Sequence, residues 1–489
     1  MGRRYNLLAL RLKPVEPPTL NHLTAAAPHP PRSDAAMSLP YADPERNQVR
    51  VADQAAHCWY RFVLSYPPHL VQAYLSRFGI TPQQRVLDPF CGTGTTVVEC
   101  KKQGIASVGV EANPMAWYAS SVKVQWGLDA AQLAAIATDI ATATEAALLQ
   151  WENHWLTLPA DSQQLLLKNS ISPLPLHKTL VLLEQMAVLA GHATNSFPTP
   201  GNAPCPSFFS TSAATDYSHH LRLALAKALV TGISNLRFGP EVGVGKPKAD
   251  APVVETWLQA VRAIAQDLPT LQSLPATTAT IHYGDARQLP RLLQPHSIDA
   301  VITSPPYPNE KDYTRTTRLE SVLLGLVKNR ANLRAFKQGL IRSNTRNIYK
   351  ADTDDGWVLQ HPEIQHIART IEARRCELGK TSGFERLYPR AVTLYFGGMA
   401  RHLAELRPLL RSGAQLAYVV GDQKSYLQVL IRTGQILAEL AEGLGYEVLD
   451  IELFRTRTAT ATKEQMREEV VLLRWPGPWP DRPYPFGVF

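Results

Sequence analysis

Acidic residues end three apolar segments of this chain, and a turn with two glycines follows the first of them. Asp88 ends RVLD, Glu111 ends ASVGVE and Asp285 ends TIHYGD. Gly92 and Gly94 lie in the turn, where the missing Cβ lets the backbone bend sharply and lets a ligand lie against the peptide. Carboxylates here suit hydroxyl and amine donors, and the third glycine of a pyrophosphate site is missing. The pattern predicts a ligand with an amine, a ribose and a base but no phosphate, which S-adenosylmethionine fits.

Each of these residues also has a purely structural interpretation. A glycine pair after a strand can be only a turn, and Glu111 can be a solvated loop carboxylate. Asp285 can cap a helix formed by ARQLPRLL. Three strand-end acids around one glycine turn nevertheless favour the ligand site over three separate structural roles.

The segments around these residues alternate between strand and helix patterns. RVLDPFCGTGTTVVECKKQGIASVGVE indicates a strand, a glycine turn, a helix and a second strand. Strand patterns resume in ATIHYGD, SIDAVIT and AQLAYVVGD, and EVLDIELFRTR and EEVVLLRWP form a final pair with a short polar link. Strands alternating with helices form mostly parallel sheets covered on both faces. We therefore predict a doubly wound, Rossmann-like α/β fold with an antiparallel hairpin at one sheet edge.

Two long segments interrupt the strand pattern and are predicted to be mainly helical insertions. The first is rich in alanine and leucine, the second is basic, and a proline-rich lead precedes the first strand. The predicted division is a lead at 1–50, a cofactor-binding part of the core at 51–123, a helical insertion at 124–278, a catalytic part of the core at 279–314, a basic helical insertion at 315–390 and the last part of the core at 391–489.

Composition narrows the class of protein. The chain has 489 residues, of which 45% are hydrophobic, which suits folded domains rather than disorder. A net charge of +8 with 19% charged residues is a modest basic bias that suits a nucleic-acid partner. Five scattered cysteines without a C-x-x-C pair predict reduced thiols, a cytoplasmic location and no metal site. We find no secretion signal and no apolar run approaching roughly 20 residues, so no membrane partner is predicted.

Two motifs in combination resemble those of one enzyme family. DPFCGTGTT at 88–96 with TSPPY at 303–307 resembles the DNA amino-methyltransferases, which methylate N4 of cytosine or N6 of adenine. The resemblance covers about 55–123 and 280–475, and it implies a seven-stranded methyltransferase sheet and S-adenosylmethionine as cofactor. The residues that it implies for cofactor binding are Tyr66, Pro67, Asp88, Pro89, Phe90, Gly92, Gly94, Thr95, Thr96, Glu111, Asp285 and Ala286.

The tetrapeptide Ser304-Pro305-Pro306-Tyr307 carries the catalytic prediction. An exocyclic amino nitrogen is a poor nucleophile because its lone pair is conjugated into the ring, so the site must localise that pair. The Ser304 hydroxyl and the Pro305 carbonyl can accept the amino hydrogens, and Tyr307 can stack on a base that has flipped out of the duplex. Serine in the first position is commoner among N4-cytosine members of the family, so the resemblance implies cytosine as the target base.

Basic residues of both insertions are the candidates for contact with double-stranded DNA. The second insertion mixes arginines with asparagines, a combination that suits both phosphates and base edges. The first contains the glycine- and lysine-bearing loop SNLRFGPEVGVGKPKAD. Either could recognise the target sequence, and Arg455 and Arg457 near the end of the chain could reach DNA or form a hairpin tip. The predicted DNA-binding residues are Arg237, Lys246, Lys248, Arg315, Arg318, Arg342 and Arg346.

Several alternatives stay open at this point. The same site could act on N6 of adenine, on an RNA amine or on a protein glutamine amide, and a non-catalytic DNA-binding subunit could keep the fold. Pro204-Cys205 resembles the nucleophile loop of C5-cytosine methyltransferases, but no buried strand precedes it. The family resemblance also implies a role in restriction-modification or phage defence, with cognate restriction or defence proteins as partners.

Overall fold

The computed structural model describes most of the chain outside the proline-rich lead. The described ranges are 48–60, 65–150, 155–189, 217–238, 242–458, 464–478 and 484–487. The Pro204-Cys205 motif and all but the last three residues of the predicted lead lie outside them. No helix within these ranges is both long and apolar enough to cross a membrane.

Seven strands form one sheet whose order is β5-β2-β1-β6-β7-β9-β8, and β3 and β4 form a separate antiparallel pair. The pairs from β5 to β7 are parallel, whereas β9 is antiparallel to both β7 and β8. This confirms the predicted sheet, with the reversed strand β9 inside it and β8 at the edge. The strands are β1 (Arg85–Asp88), β2 (Ala106–Glu111), β3 (Leu236–Phe238), β4 (Val242–Val244), β5 (Ala279–Tyr283), β6 (Ile298–Thr303), β7 (Leu410–Gly421), β8 (Glu447–Thr458) and β9 (Gln465–Arg474).

Helices connect these strands and form about half of each segment predicted as an insertion. Asn113 caps the helix after β2 by accepting a hydrogen bond from the backbone N–H of Met115 at 3.0 Å, and a proline occupies its first position. The helices in the described ranges are α1 (Gln54–His57), α2 (Pro68–Arg77), α3 (Thr95–Lys102), α4 (Pro114–Lys123), α5 (Ala130–Leu149), α6 (Ala160–Gln163), α7 (Pro173–Leu189), α8 (Ser218–Ala228), α9 (Val253–Gln272), α10 (Tyr313–Thr316), α11 (Arg318–Leu323), α12 (Arg330–Gln338), α13 (Pro362–Glu377), α14 (Tyr388–Leu406) and α15 (Thr433–Gly443).

The first insertion shares a core with the sheet's own helices. Leu133 of α5, Leu225 of α8 and Trp257 of α9 are fully buried in the same apolar cluster as Tyr118 of α4. The Trp257 indole donates a hydrogen bond to the Leu221 carbonyl at 3.0 Å, which satisfies its polar atom inside this core. The insertion therefore thickens one helical layer of the core.

The second insertion approaches α14 at a position that only glycine allows. A Cβ added to Gly397 would lie 1.8 Å from the Asp354 carbonyl oxygen, a distance at which atoms overlap. The close approach lets the Asp354 carboxylate meet the Arg287 guanidinium, which follows β5. The diglycine in YFGGMA thus holds part of the insertion against the edge of the sheet where the strands end.

A buried carboxyl joins the segment before β1 to the helix after the tetrapeptide. Glu320 in α11 accepts a hydrogen bond from the Tyr60 hydroxyl at 2.9 Å, and its Oε2 has no hydrogen-bond partner among the described residues. Burial raises the pKa of Glu320 from 4.5 to about 7. The folded protein therefore retains this proton at a pH where the unfolded chain has released it.

Replacing Glu320 with glutamine should make stability less dependent on pH. The raised pKa contributes stability that is fully present below about pH 4.5 and is lost as pH rises through about 7, because only the unfolded chain ionises freely there. Glutamine does not titrate, so Glu320→Gln should reduce the fall in unfolding free energy between pH 4.5 and pH 8 by up to about 3 kcal/mol. Urea unfolding across this range measures the effect, with exposed Glu145→Gln as the control. An unchanged slope would contradict the assignment.

Candidate active site

The glycine turn brings the ends of β1 and β2 together. Gly92 and Gly94 have φ values of +51° and +90°, a region that favours glycine. A Cβ on Gly94 would also lie 3.0 Å from the Cβ of Ser120 in α4. The Gly92 N–H donates a hydrogen bond to Glu111 Oε2 at 2.7 Å. The turn is thus hydrogen-bonded to the acidic residue that ends the neighbouring strand β2. In parallel sheets of this kind, ligands bind in a crevice at the carboxyl ends of the strands.

Glu111 is held by backbone donors on both of its oxygens. Besides the bond from Gly92, its Oε1 accepts a hydrogen bond from the Asn113 N–H at 2.7 Å. Burial raises the pKa of Glu111 to about 7, against the opposing effect of these two hydrogen bonds. Each oxygen of an ionised carboxylate has a second lone pair, so Glu111 can also accept hydrogen bonds from ligand hydroxyls.

Asp88 lies beneath the cavity floor. It is fully buried and accepts hydrogen bonds from Thr303 Oγ1 at 2.6 Å, Tyr66 Oη at 2.9 Å and the Phe90 N–H at 3.2 Å. Burial raises its pKa to about 6, although these donors oppose the shift. The Thr96 hydroxyl makes a hydrogen bond with the Tyr66 hydroxyl and donates one to the Ile302 carbonyl at 3.0 Å. Asp88 therefore links the glycine turn to the end of β6, next to the tetrapeptide.

Asp285 combines a helix cap with an ion pair. Its Oδ1 accepts a hydrogen bond from the Arg287 N–H at 2.9 Å, and its Oδ2 lies 2.7 Å from Arg287 Nη2. Arg287 is 7% exposed and also pairs with Asp354, and both carboxylates raise its pKa against the effect of burial. Asp285 thus caps the short helix that follows it and also lies on the cavity wall.

The tetrapeptide leaves β6 beside β7. Ser304 Oγ donates a hydrogen bond to the Val419 carbonyl at 3.1 Å, so its proton points away from a ligand while its oxygen keeps lone pairs to accept. Pro305 is buried, and its φ is locked by its ring. The Tyr307 N–H donates to Tyr313 Oη at 3.3 Å, and the Tyr307 ring packs against Gly421. Burial is the main cause that raises the pKa of Tyr307, which keeps the phenol neutral.

One cavity of about 750 Å³ connects the glycine turn with the tetrapeptide. This volume lies within the roughly 300–1,000 Å³ typical of sites for small molecules. The predicted site residues that line it are Tyr66, Pro89, Phe90, Gly92, Thr95, Glu111, Asp285, Ala286, Ser304, Pro305, Pro306 and Tyr307. Asp88, Gly94 and Thr96 do not line it but support residues that do, and Pro67 also lies outside the lining.

Part of the cavity wall comes from segments to which sequence reasoning assigned no catalytic role. The loop after the tetrapeptide, the loop after β7 and the hairpin of β8 and β9 supply it. Only the strand-end arginines Arg455 and Arg457 carried a signal, as candidates for a hairpin tip or a DNA contact. The main additional lining residues are Asn309, Lys311, Tyr313, Gln423, Lys424, Ser425, Phe454, Arg455, Arg457, Met466 and Glu468.

Comparison with known proteins shows which proteins this chain is similar to. Residues 44–120, which contain β1, the glycine turn and β2, match the family model described as DNA methylase. The Type II methyltransferase M.BsoBI of Geobacillus stearothermophilus is 24% identical over 457 residues, covering 86% of this chain and 84% of its own length. The chain is thus similar in sequence to Type II DNA methyltransferases over most of its length. The Type II methyltransferase M.AvaI of Anabaena variabilis is 30% identical over 172 residues, which are 34% of each chain.

The fold was also compared with a solved structure. TrmN from Thermus thermophilus is 11% identical, and the alignment covers 83% of this chain and 48% of the other. Its TM-score of 0.22 is too low to support a comparison of the two sites. The sheet order and the cavity described above therefore rest on this chain's own geometry.

The seven predicted DNA-binding residues differ in how free their charges are. Arg318 and Arg342 are buried, and Arg342 pairs with Asp352 at 2.8 Å, so neither guanidinium is presented to a phosphate. Lys248 donates its ammonium hydrogen bond to the Gly232 carbonyl at 2.5 Å. None of the seven lines the cavity. The exposed or half-exposed members with no such internal bond among the described residues are Arg237, Lys246, Arg315 and Arg346.

Proposed function

We propose that this chain is a site-specific DNA methyltransferase that transfers a methyl group from S-adenosylmethionine to N4 of a flipped-out cytosine. The single cavity that joins Gly92 and Glu111 to Ser304 and Tyr307 supports this proposal best. A cofactor at the glycine turn and a base at the tetrapeptide would share one enclosure. Methyl transfer requires this proximity and alignment of the two reacting groups.

The cofactor half of the cavity suits a nucleoside with a charged amino-acid tail. Glu111 offers carboxylate lone pairs to ribose hydroxyls, and the glycine turn lets the ligand approach the peptide. Asp285 places a second carboxylate on the wall, partly neutralised by Arg287. When bound, S-adenosylmethionine supplies a methyl group on a positively charged sulphur, which is a good leaving group.

The base half of the cavity suits an exocyclic amine. The Ser304 oxygen and the Pro305 carbonyl accept the two amino hydrogens and so hold the nitrogen lone pair out of conjugation. Tyr307 provides an aromatic face for the ring, and a base reaches it only after leaving the duplex. Serine in the first position supports cytosine as the target. N6 of adenine, an RNA amine and a protein glutamine amide are the alternative substrates.

Product analysis separates these substrates. The purified protein is incubated with methyl-labelled S-adenosylmethionine and duplex DNA, RNA or protein, and labelled nucleosides or residues are identified by mass spectrometry. We expect label in N4-methylcytosine of duplex DNA. Label only in N6-methyladenine would overturn the choice of base, and label only in RNA or protein would overturn the choice of substrate. No transfer to any of them would favour a non-catalytic DNA-binding subunit.

We place this methyltransferase in restriction-modification, where methylated sites are protected from a cognate nuclease. The Type II relatives support this setting, and phage defence is its wider context. DNA of a host that carries the protein should then resist a nuclease of the same specificity. Sequencing of methylated bases in that host would identify the recognition sequence.

Arg346 is a candidate phosphate contact outside the cavity. Its exposed guanidinium lies 5.8 Å from the Phe384 ring centroid, and Phe384 is 55% exposed. Arg346→Gln should weaken DNA binding similarly at all sequences and reduce the slope of log affinity against log salt by about 1. Fluorescence anisotropy at several salt concentrations measures the slope. The control is Arg411→Gln, whose arginine pairs with Asp299 where β6 and β7 begin, at the end of the strands opposite the tetrapeptide. An unchanged slope would remove Arg346 from the DNA-binding surface.

A further inference from the structure

Two arginines and one glutamate form a charged cluster on the cavity wall. Arg455 and Arg457 lie on β8, and Glu468 lies on β9. Glu468 Oε2 accepts a hydrogen bond from Arg455 Nε at 2.5 Å, and Glu468 Oε1 lies 3.3 Å from Arg457 Nε. One carboxylate balances only one of the two guanidiniums. The cluster therefore keeps one net positive charge beside the cavity.

The cluster lies close to the tetrapeptide. A Cβ added to Gly421 at the end of β7 would lie 3.1 Å from Tyr307 Cε2 and 3.2 Å from Glu468 Cγ. The side chains of Tyr307 and Glu468 thus both contact the strand at Gly421. The negative charge of Glu468 also contributes to the raised pKa of Tyr307, while Arg457 opposes that shift. A ring stacked on Tyr307 would therefore have these charges as neighbours.

Arg457 is held by one hydrogen bond and one ion pair. Its Nη2 donates a hydrogen bond to the Asp422 carbonyl at 2.9 Å, and its Nε lies 3.3 Å from Glu468 Oε1 without making a hydrogen bond among the described residues. Its Nη1 has no hydrogen-bond acceptor among the described residues, and the side chain is 33% exposed on the cavity wall. The anchored guanidinium therefore keeps Nη1 available to donate to a ligand.

Ser304 and Arg457 are both anchored at the end of β7. Ser304 is bonded to the Val419 carbonyl in that strand, and Arg457 to the carbonyl of Asp422, which follows it. Both side chains line the same cavity as Tyr307. A base held at Ser304 and stacked on Tyr307 would therefore share this enclosure with the Arg457 guanidinium.

We propose that Arg457 selects cytosine by donating a hydrogen bond from Nη1 to O2 of the flipped base. The proposal rests on the proposed function, because it takes the target amine to lie at Ser304. In cytosine the O2 acceptor lies at the far end of the edge that carries the amine. Adenine has a C2–H group in the corresponding place, which would leave the arginine donor unpaired. A site built to hydrogen-bond one substrate rejects an analogue that lacks the partner.

The test pairs a change in the protein with a change in the base. After the wild-type enzyme's methylated cytosine has been mapped, duplexes are prepared with cytosine or 2-thiocytosine at that position. Sulphur is a weaker acceptor than oxygen. With cytosine, Arg457→Met should reduce kcat/KM about 10- to 150-fold. The same substitution should change kcat/KM only a few-fold with 2-thiocytosine, because the hydrogen bond is already weakened there.

Controls separate recognition of the base from other roles. The affinity for S-adenosylmethionine should be unchanged in Arg457→Met, and Arg457→Lys, which keeps a donor, should recover part of the activity on cytosine. Arg474→Met removes an arginine that pairs with Glu447 at the other end of the hairpin, and its activity should match the wild type. Equal losses on both bases would overturn the proposal and assign Arg457 to the fold or to the phosphates. N6-methyladenine as the wild-type product would instead overturn the proposed target.

Discussion

Replacing Ser304 with alanine should lower kcat for methyl transfer about 100- to 1,000-fold, the range seen when one preorganised polar group is removed from an active site. The Ser304 hydroxyl donates its hydrogen bond to the Val419 carbonyl, so its oxygen is oriented as an acceptor before substrate arrives. Alanine leaves one amino hydrogen of the base without an acceptor. The amine would then remain conjugated and poorly nucleophilic.

The affinity for S-adenosylmethionine provides the internal control for this variant. Ser304 lies at the base half of the cavity, so Ser304→Ala should bind the cofactor as tightly as the wild type by calorimetry. Ser273→Ala is the matched substitution, since this exposed hydroxyl also donates to a carbonyl, that of Thr270 at 2.7 Å, away from the cavity. Single-turnover transfer rates should be unchanged there. A Ser304→Ala enzyme with full activity would remove the tetrapeptide from the chemistry.

Replacing Glu111 with alanine should weaken the binding of S-adenosylmethionine about 100-fold. The substitution removes the proposed acceptor for ribose hydroxyls and leaves the Gly92 and Asn113 N–H groups without their partner. Hydrogen bonds to charged groups contribute about 1.5–3 kcal/mol each, and one such loss corresponds to roughly 10- to 150-fold in affinity. Glu111→Gln keeps one acceptor oxygen and should give a smaller loss.

The binding should also depend on pH through Glu111. Its pKa of about 7 in the free protein means that a ligand that hydrogen-bonds to the ionised carboxylate must compete with a proton. The affinity for the cofactor should therefore rise as pH increases through 7 and level off above 8. Isothermal titration from pH 6 to pH 8.5 measures this, with exposed Glu145→Ala as a control that keeps the dependence. A flat profile in the wild type would contradict the proposed contact.

The sequence was enough to predict that the motifs follow directly after strands, because this arrangement depends on short-range sequence preferences. Apolar runs ending in Asp88 and Glu111 with glycines between them specify a strand, a turn and a helix through short-range preferences. The parallel sheet follows from the alternation of strands and helices, and it places the ends of neighbouring strands together. The position of Ser304 at the end of a strand followed from the same local pattern, whereas the pairing of that strand, β6, with β1 was shown by the structure.

The burial of charged residues was not predictable from their local sequence. Arg318 and Arg342 lie in a basic stretch that resembles a solvated surface, yet both are buried. Arg342 pairs with Asp352, and Arg287 reaches Asp354 because Gly397 lets that segment approach. Each of these outcomes depends on packing between distant segments, which the sequence pattern does not encode.

By itself, the sequence determined which motifs follow the strands and in what order along the chain: first a glycine turn with its acidic neighbours, then Ser304-Pro305-Pro306-Tyr307. Only the tertiary structure decided which groups face the cavity. It placed Asp88 beneath the cavity and brought Arg457 and Glu468 beside Tyr307, although about 150 residues separate them along the chain. The physical reason is that hydrophobic periodicity and turn chemistry act over a few residues. The wall of a cavity is set by side chains that meet only when the whole sheet has formed.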